Sequence, residues 1–420
     1  MTGPRSLPTA QTGQHHPTLR LRSIALLLVL EGLAATSKAV AAEKQYGPGV
    51  TDSEITIGQT MPYSGPASAY GTLGKAEAAY FEKVNREGGI NGRKIRLVSL
   101  DDGYSPPKTV EQTRRLVEQQ QVLLIFSSVG TPTNSAVHKY LNSNRVPHLL
   151  VASGAAKWGD PQHFPWTMGS NPNYQFEARV YAKYILKQYP DAKIGVLYQD
   201  DDFGKDYLKG LRQGLAERAS AMIVAEVSYE ATDASIDSQI IRLKSSGADV
   251  LLDVTTSKFA AQAIRKSYDI GWKPLHLLNI SASSVASVLQ PAGMEKSVGI
   301  ISVAFLKDPT DPNWRDDPSV NEWLAWMKKY YPGGNIADWI NVFGYTQAQI
   351  LVKILRQCGD ELTRENVMKQ AGNLKRLELP MLLPGIRVDT DPTDYFPIKQ
   401  LRLQRFDGER WVLFGDILGD

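Results

Sequence analysis

The chain has 420 residues, a formal net charge of +3 and a single cysteine. The whole positive excess lies in residues 1–42, where four basic residues stand against one acid. The remainder is neutral overall, which argues against a nucleic-acid binder, because such proteins carry many phosphate-neutralising side chains. Cys358 has no partner for a disulfide within the chain and stands in an apolar helical pattern, which favours a small buried hydrophobe over a catalytic thiol.

The first residues have the pattern of an export signal. Arg20 and Arg22 precede the short apolar run 23–30, and small residues follow as far as Ala42. The run is shorter than the ~20 apolar residues that a membrane span needs. We therefore predict a signal peptide over residues 1–42, cleaved near Ala42, and a periplasmic location. No cysteine follows the small residues, so we expect no lipid attachment there.

Strand and helix patterns alternate from residue 54 onward. Most strand patterns are continuous apolar runs, which is typical of parallel strands covered by helices on both faces. The alternation restarts after the loop 157–173, and this predicts two doubly wound α/β domains. The predicted elements are, in order, strand 54–58, helix 73–84, strand 94–100, helix 109–120, strand 122–126, helix 134–142, strand 148–151, helix 176–188, strand 193–198, helix 203–219, strand 222–227, helix 235–246, strand 250–254, helix 258–268, strands 275–278 and 299–305, helices 320–331 and 338–357, and a hairpin within 397–418.

The usual catalytic signatures are missing from the sequence. It has no Gly-x-Ser-x-Gly, His-Glu-x-x-His or Cys-x-x-Cys, and no Gly-x-Gly-x-x-Gly follows the first strand. The sequence around Gly74-Lys75 does not match the phosphate-binding loop motif, because Ala69 takes the first glycine position and Ala76 replaces the Ser or Thr that holds magnesium. We therefore expect a protein that is not an enzyme and uses neither a cofactor nor a metal.

Three loops at predicted strand ends are rich in glycine and hydroxyl residues. They cover residues 61–71, 127–133 and 151–155. The carboxyl ends of parallel strands line one crevice, where ligands of α/β folds bind. Hydroxyls and N–H groups at helix N-termini suit a carboxylate. The alternative is that these residues are helix caps only, since Ser, Thr and Gly are common there.

Four stretches resemble the type I periplasmic binding proteins of branched-chain amino acid transport: 58–71, 81–95, 200–205 and 245–250. The resemblance extends over residues 50–420. It implies two doubly wound α/β lobes joined by a three-strand hinge, closing on a small-molecule ligand. It also implies a monomer that delivers this ligand to the permease and ATPase subunits of an ABC importer in the inner membrane. The implied domains are lobe 1 at 50–170 plus 302–375 and lobe 2 at 171–301 plus 376–420.

The resemblance also implies a set of ligand-binding residues. Those of the first lobe are Tyr70, which would pack on the ligand, and Ser128, Val129, Thr131, Ser153 and Ala155, which would contact its carboxylate. Those of the second lobe are Phe203, Thr256 and Ser281.

One departure from the family pattern concerns the ligand's ammonium group. Amino-acid binders of this family place a carboxylate in the second lobe, but segment 278–283 contains no acid. We therefore predict that the ligand is an aromatic or aliphatic acid without an α-ammonium. Asp253 or Glu230 could supply the charge instead, which leaves a branched-chain amino acid open. A ligand-sensing subunit of the same fold and an α/β hydrolase-type enzyme are the alternative functions.

Overall fold

A computed structural model of the chain describes residues 44–419, so the predicted signal peptide lies outside the described residues. Helices cover sheets built mainly of parallel strands, which confirms the predicted doubly wound α/β fold. No helix in 44–419 combines the length and the apolar character needed to cross a bilayer.

The strands fall into two large sheets and one small pair. Their bounds are β1 (Gln45–Tyr46), β2 (Glu54–Met61), β3 (Lys94–Asp101), β4 (Ile125–Phe126), β5 (His148–Val151), β6 (Thr167–Gly169), β7 (Ile194–Gln199), β8 (Ile223–Tyr229), β9 (Val250–Val254), β10 (Leu275–Leu278), β11 (Ile301–Ala304), β12 (Glu361–Leu362), β13 (Gln400–Phe406) and β14 (Trp411–Gly419).

The helices cover both faces of the sheets. Their bounds are α1 (Gly71–Arg86), α2 (Pro106–Arg114), α3 (Thr131–Ser143), α4 (Tyr174–Gln188), α5 (Asp202–Leu215), α6 (Ala219–Met222), α7 (Asp237–Ser245), α8 (Ser257–Asp269), α9 (Gln290–Ala292), α10 (Pro318–Tyr330), α11 (Trp339–Cys358) and α12 (Arg364–Ala371). Short 3₁₀ and π turns fill several of the connections, among them the 3₁₀ turn Ser68–Tyr70 and the π turn Val285–Leu289.

The first sheet has the strand order β3-β2-β4-β5-β6, and all of its strands are parallel. The second has the order β14-β13-β11-β10-β9-β7-β8, parallel except for the antiparallel pairings that β13 makes with β11 and β14. Strands β5 and β9 are buried along their whole length, which explains their unbroken apolar sequences.

Helices α10 and α11 follow the second-sheet strand β11 but pack on α1, beside the first sheet. The chain therefore passes between the two halves three times: after β6, after β11 and before β13. We call the half built on the first sheet lobe 1 and the half built on the second sheet lobe 2. The exact lobe boundaries stay a prediction.

Each sheet has one point at which the strand order reverses. It lies between β2 and β4 in the first sheet and between β7 and β9 in the second. Loops that leave neighbouring strands at such a point run to opposite faces and leave a crevice at the carboxyl ends, where ligands bind.

Candidate functional site

A cleft lies between the lobes, where the loops after β2 and β4 meet those after β7 and β9. It contains about 540 Å³ of space between atoms, and this figure includes space that is open to solvent. Its lining includes six of the nine predicted ligand residues: Tyr70, Val129, Thr131, Phe203, Thr256 and Ser281. The other lining residues are Leu73, Tyr104, Gly130, Ala152, Asn171, Tyr174, Trp339, Ile340 and Phe343.

Tyr70 reaches across the cleft from lobe 1. It ends the 3₁₀ turn that leads into α1, and its hydroxyl accepts a hydrogen bond from the N–H of Ser257 at 3.2 Å. Ser257 is the first residue of α8, so one of the helix's unsatisfied N-terminal donors gains a partner. Burial raises the pKa of Tyr70 to about 12, so the hydroxyl stays protonated and keeps its own proton to donate.

The turn before α3 requires glycine and exposes helix donors. Gly130 has φ +102°, and a Cβ there would lie 2.5 Å from Cε2 of Tyr104 and 2.6 Å from Oγ1 of Thr133. This conformation places Thr131 at the start of α3. The N–H of Thr131 has no hydrogen-bond partner among the described residues, so it is free to receive an anion.

The predicted contacts Ser128, Ser153 and Ala155 lie behind the wall of the cleft and do not line it. The hydroxyl of Ser128 accepts a hydrogen bond from the N–H of Thr60 at 3.1 Å, which ties the end of β4 to β2. The hydroxyl of Ser153 lies 2.7 Å from that of Thr131 and accepts from the N–H of Ala155. These bonds hold the wall in place, and direct contact of the three residues with a ligand stays a prediction.

Phe203 enters the cleft from lobe 2 at the first turn of α5. Its N–H donates to Oδ1 of Asp201 at 2.8 Å, so Asp201 caps the helix. The Phe203 ring packs edge-on against Tyr174, with ring centroids 5.1 Å apart. Thr256, the residue before α8, donates its N–H to the hydroxyl of Tyr229 at 3.0 Å.

A buried acid supports the segment that carries Ser281. The carboxylate of Glu177 accepts from the N–H of Ile280 at 2.8 Å and from the hydroxyl of Tyr181 at 2.9 Å. Burial raises the pKa of Glu177 to about 7. Tyr181 is within hydrogen-bond distance of the carbonyl of Leu278 as well, so this network holds both ends of the turn after β10.

Two aromatic residues of the cleft that the sequence did not indicate come from the lobe crossings. Tyr174 begins α4 directly after its cap Asn173, and Gly154 lets it approach, since a Cβ there would lie 2.7 Å from the Tyr174 ring. Trp339 begins α11 directly after its cap Asp338. An aromatic residue just after a helix cap is the signal that could have identified both positions. Tyr345, further along α11, is buried against Tyr80.

No residue that lines the cleft carries a charged side chain. Asp253 is buried away from it, 3.0 Å from Nε2 of His276 and 2.6 Å from the hydroxyl of Thr255. Glu230 is exposed and also lies outside the lining. Neither candidate for an ammonium partner therefore stands in the wall of the cleft.

Several contacts join the lobes around the cleft. Lys157 forms a salt bridge with Asp202 at 2.5 Å, and the N–H of Ala156 donates to Asp206 at 2.7 Å. On another side, the hydroxyl of Ser284 donates to Asp338 at 2.9 Å, and burial raises the pKa of Asp338 to about 6. The structure is therefore a closed arrangement of the two lobes.

Within residues 44–419, no cluster of three or more His, Cys, Asp and Glu side chains could hold a metal ion. Cys358 is buried in α11, and this burial raises the pKa of its thiol to about 12. A thiol with so high a pKa is a poor nucleophile at neutral pH.

Two doubly wound lobes closed on a cleft at both reversal points define the class of type I periplasmic binding proteins. A family model described as periplasmic binding protein matches residues 54–410. The chain belongs to this family, in its branched-chain amino acid group.

Relatives and solved structures agree with this assignment. The Leu/Ile/Val-binding protein homolog 7 of Brucella abortus is 24% identical over 324 residues, which cover 74% of this chain and 79% of the relative. A branched-chain amino acid ABC transporter structure from Thermus thermophilus with bound valine has a TM-score of 0.79 at 18% identity, covering 88% of this chain and 98% of that one. A solute-binding protein of an R. palustris ABC transporter, in complex with 4-hydroxybenzoate, has a TM-score of 0.73 at 18% identity, covering 87% and 97%. The two structures share the fold with this chain.

Proposed function

We propose that this protein is the periplasmic solute-binding component of an ABC importer and that it captures a small carboxylic acid without an α-ammonium group. One observation carries the proposal: the interlobe cleft is lined by aromatic, aliphatic, hydroxyl and amide side chains and by no charged one.

The carboxylate of the ligand would sit against α3. The unpartnered N–H of Thr131 stands at the positive end of the helix dipole, and the Thr131 hydroxyl lies on the same wall. The hydroxyls of Tyr70, Thr256 and Ser281 are further possible donors along the cleft. Together they supply hydrogen bonds to an anion without a fixed positive charge.

An ammonium group would have no comparable partner. Burying an unpaired charge costs several kcal/mol, even after relaxation and water penetration. The carboxylates of Asp253 and Glu230 do not line the cleft. The shared fold accepts both kinds of ligand, since one similar structure holds valine and another holds 4-hydroxybenzoate. The local side chains must therefore decide, and here they favour an acid without an amine.

The body of the ligand would pack between aromatic walls. Tyr174 and Phe203 come from lobe 2, while Trp339 and Phe343 come from the start of α11 in lobe 1. Aromatic rings bury much apolar area and prefer edge-on or offset packing, so an aromatic or branched aliphatic acid suits this space.

Lobe closure would couple capture to transport. Tyr70–Ser257 and Lys157–Asp202 join the lobes directly beside the cleft. A ligand that contacts both lobes favours the closed form over the open one. The closed form would then be the one that the permease accepts.

The test is a thermal-shift screen of residues 43–420 with matched pairs of compounds. One pair is 4-methylpentanoate and leucine, and the other is 3-phenylpropanoate and phenylalanine; within each pair only the amine differs. A ligand at a hundredfold excess over its dissociation constant adds about 2.7 kcal/mol of stability. Shifts with the amine-free members alone support the proposal, and shifts with the amino acids alone refute it.

A further inference from the structure

A second cavity lies next to the cleft and shares one wall residue with it, Trp339. It holds about 440 Å³, part of it open to solvent, and reaches the hinge segment around Leu306. Lobe 2 contributes Ile280 and Ser283 to it, the neighbours of the cleft residue Ser281. The partition between the two spaces is thus built from the Trp339 ring on one side and the turn after β10 on the other.

The position of Trp339 is fixed from both lobes. The preceding residue, Asp338, caps α11 through the N–H of Ile340 and also accepts the hydrogen bond from Ser284 of lobe 2. The carbonyl of Ala337 accepts a hydrogen bond from the N–H of Ala286, again from lobe 2. Lobe closure therefore places the start of α11, and with it the Trp339 ring, against the second lobe.

Hydrogen bonding does not explain why tryptophan occupies this position. A buried indole N–H usually finds a partner, yet Nε1 of Trp339 is buried without an acceptor among the described residues. Its ring packs on Phe343, with ring centroids 5.6 Å apart. What the side chain contributes is its volume at the boundary of the two cavities.

We propose that Trp339 sets the length of the ligand by separating the cleft from the second cavity. With tryptophan present, the cleft takes a short acid of one ring or a short branched chain. With a smaller residue, the two spaces join and an acid with a longer chain can extend toward the hinge. This inference rests on the proposed function, because it assumes that carboxylic acids are the ligands.

The experiment compares acids of increasing length on the native protein and on Trp339→Leu. Phenylacetate, 3-phenylpropanoate, 5-phenylpentanoate and 7-phenylheptanoate are titrated by calorimetry. We expect the native protein to favour the two short acids and the variant to raise the affinity ratio of longest to shortest at least tenfold. Trp339→Phe, which keeps an aromatic ring in the partition, should shift the ratio less and covers the case in which the leucine variant does not fold.

The matched control is Val285→Ala. Val285 lines the second cavity but not the cleft, so its truncation enlarges the second space without joining the two. We expect its length preference to stay that of the native protein. If the native protein binds the acids but neither Trp339 variant changes the affinity ratio of longest to shortest acid, this inference is overturned and the proposed function is not. Failure of the native protein to bind any of the four acids or the shorter amine-free acids overturns the proposed function and this inference with it.

Discussion

Replacing Gly130 by alanine is expected to damage the candidate site and the fold together. Its φ of +102° lies where only glycine is comfortable, and holding another residue there costs about 1–3 kcal/mol. The added Cβ would also lie 2.5 Å from the Tyr104 ring and 2.6 Å from the Thr133 hydroxyl. Forcing atoms into a packed region costs about 1–3 kcal/mol more. We expect Gly130→Ala to lower the free energy of unfolding by about 2–6 kcal/mol, the sum of the two contributions.

Gly88→Ala separates the two contributions. Gly88 has nearly the same φ, +103°, but nothing lies within 4 Å of the Cβ that alanine would add. We expect Gly88→Ala to lower the free energy of unfolding only by the backbone contribution, about 1–3 kcal/mol. Urea unfolding of the native protein and both variants gives the difference directly.

The ligand provides a second readout of the same substitution. Gly130→Ala should weaken binding of the best carboxylic acid at least tenfold, since the Tyr104 ring that the Cβ would displace lines the cleft, and so does Thr131, which directly follows Gly130. Gly88→Ala should leave that affinity unchanged. Equal unfolding free energies for the two variants would refute the steric argument for the turn before α3.

Three further predictions concern specificity, closure and pH. Ser281→Asp should raise the affinity for leucine at least tenfold over that of the native protein, measured by calorimetry, because the new carboxylate supplies the missing partner for the ammonium group. An unchanged affinity for leucine would count against the proposed orientation of the ligand. Asp202→Asn should weaken binding of the acid about two- to fivefold, since it removes the interlobe salt bridge with Lys157 and exposed salt bridges contribute about 0.2–1 kcal/mol. The control is Asp200→Asn, which should leave the affinity unchanged because its partner Lys205 lies in the same lobe. Burial raises the pKa of Glu177 from 4.5 to about 7, so its stability contribution is full below pH 4.5 and is lost as the pH rises through 7. Relative to Glu177→Gln, the native protein should therefore lose about 2–3 kcal/mol between pH 5 and 8 in urea unfolding, and parallel profiles would contradict this.

The alternation of the fold was readable from local sequence because buried parallel strands need unbroken apolar runs. The strand at Val250–Val254 was predicted to the residue. Elements with long-range or irregular hydrogen bonding could not be predicted from local sequence. The two-residue pair of β1 and β12 joins positions more than 300 residues apart, and the predicted helix 109–120 begins at Pro106 and ends in the π turn Arg115–Gln119.

The residues of the candidate site that lie in loops after strands could be predicted from the sequence. Those that lie where the chain crosses between the lobes could not. Tyr70, Thr131 and Thr256 come from loops after β2, β4 and β9, which any doubly wound sheet gathers at its reversal point. Tyr174 and Trp339 reach the cleft from the segments where the chain crosses between the lobes, and no local pattern encodes the position of a crossing. For the same reason, sequence could not show that Ser153 turns its hydroxyl toward Thr131 behind the wall.

The central claim is that the uncharged cleft selects a carboxylate without an amine. Titration calorimetry with 4-methylpentanoate and leucine tests it most directly, because these molecules differ only in the α-ammonium group. An unpaired buried charge costs several kcal/mol, so we expect 4-methylpentanoate to bind at least about a hundredfold more tightly than leucine. Leucine binding as tightly as 4-methylpentanoate, or more tightly, would contradict it.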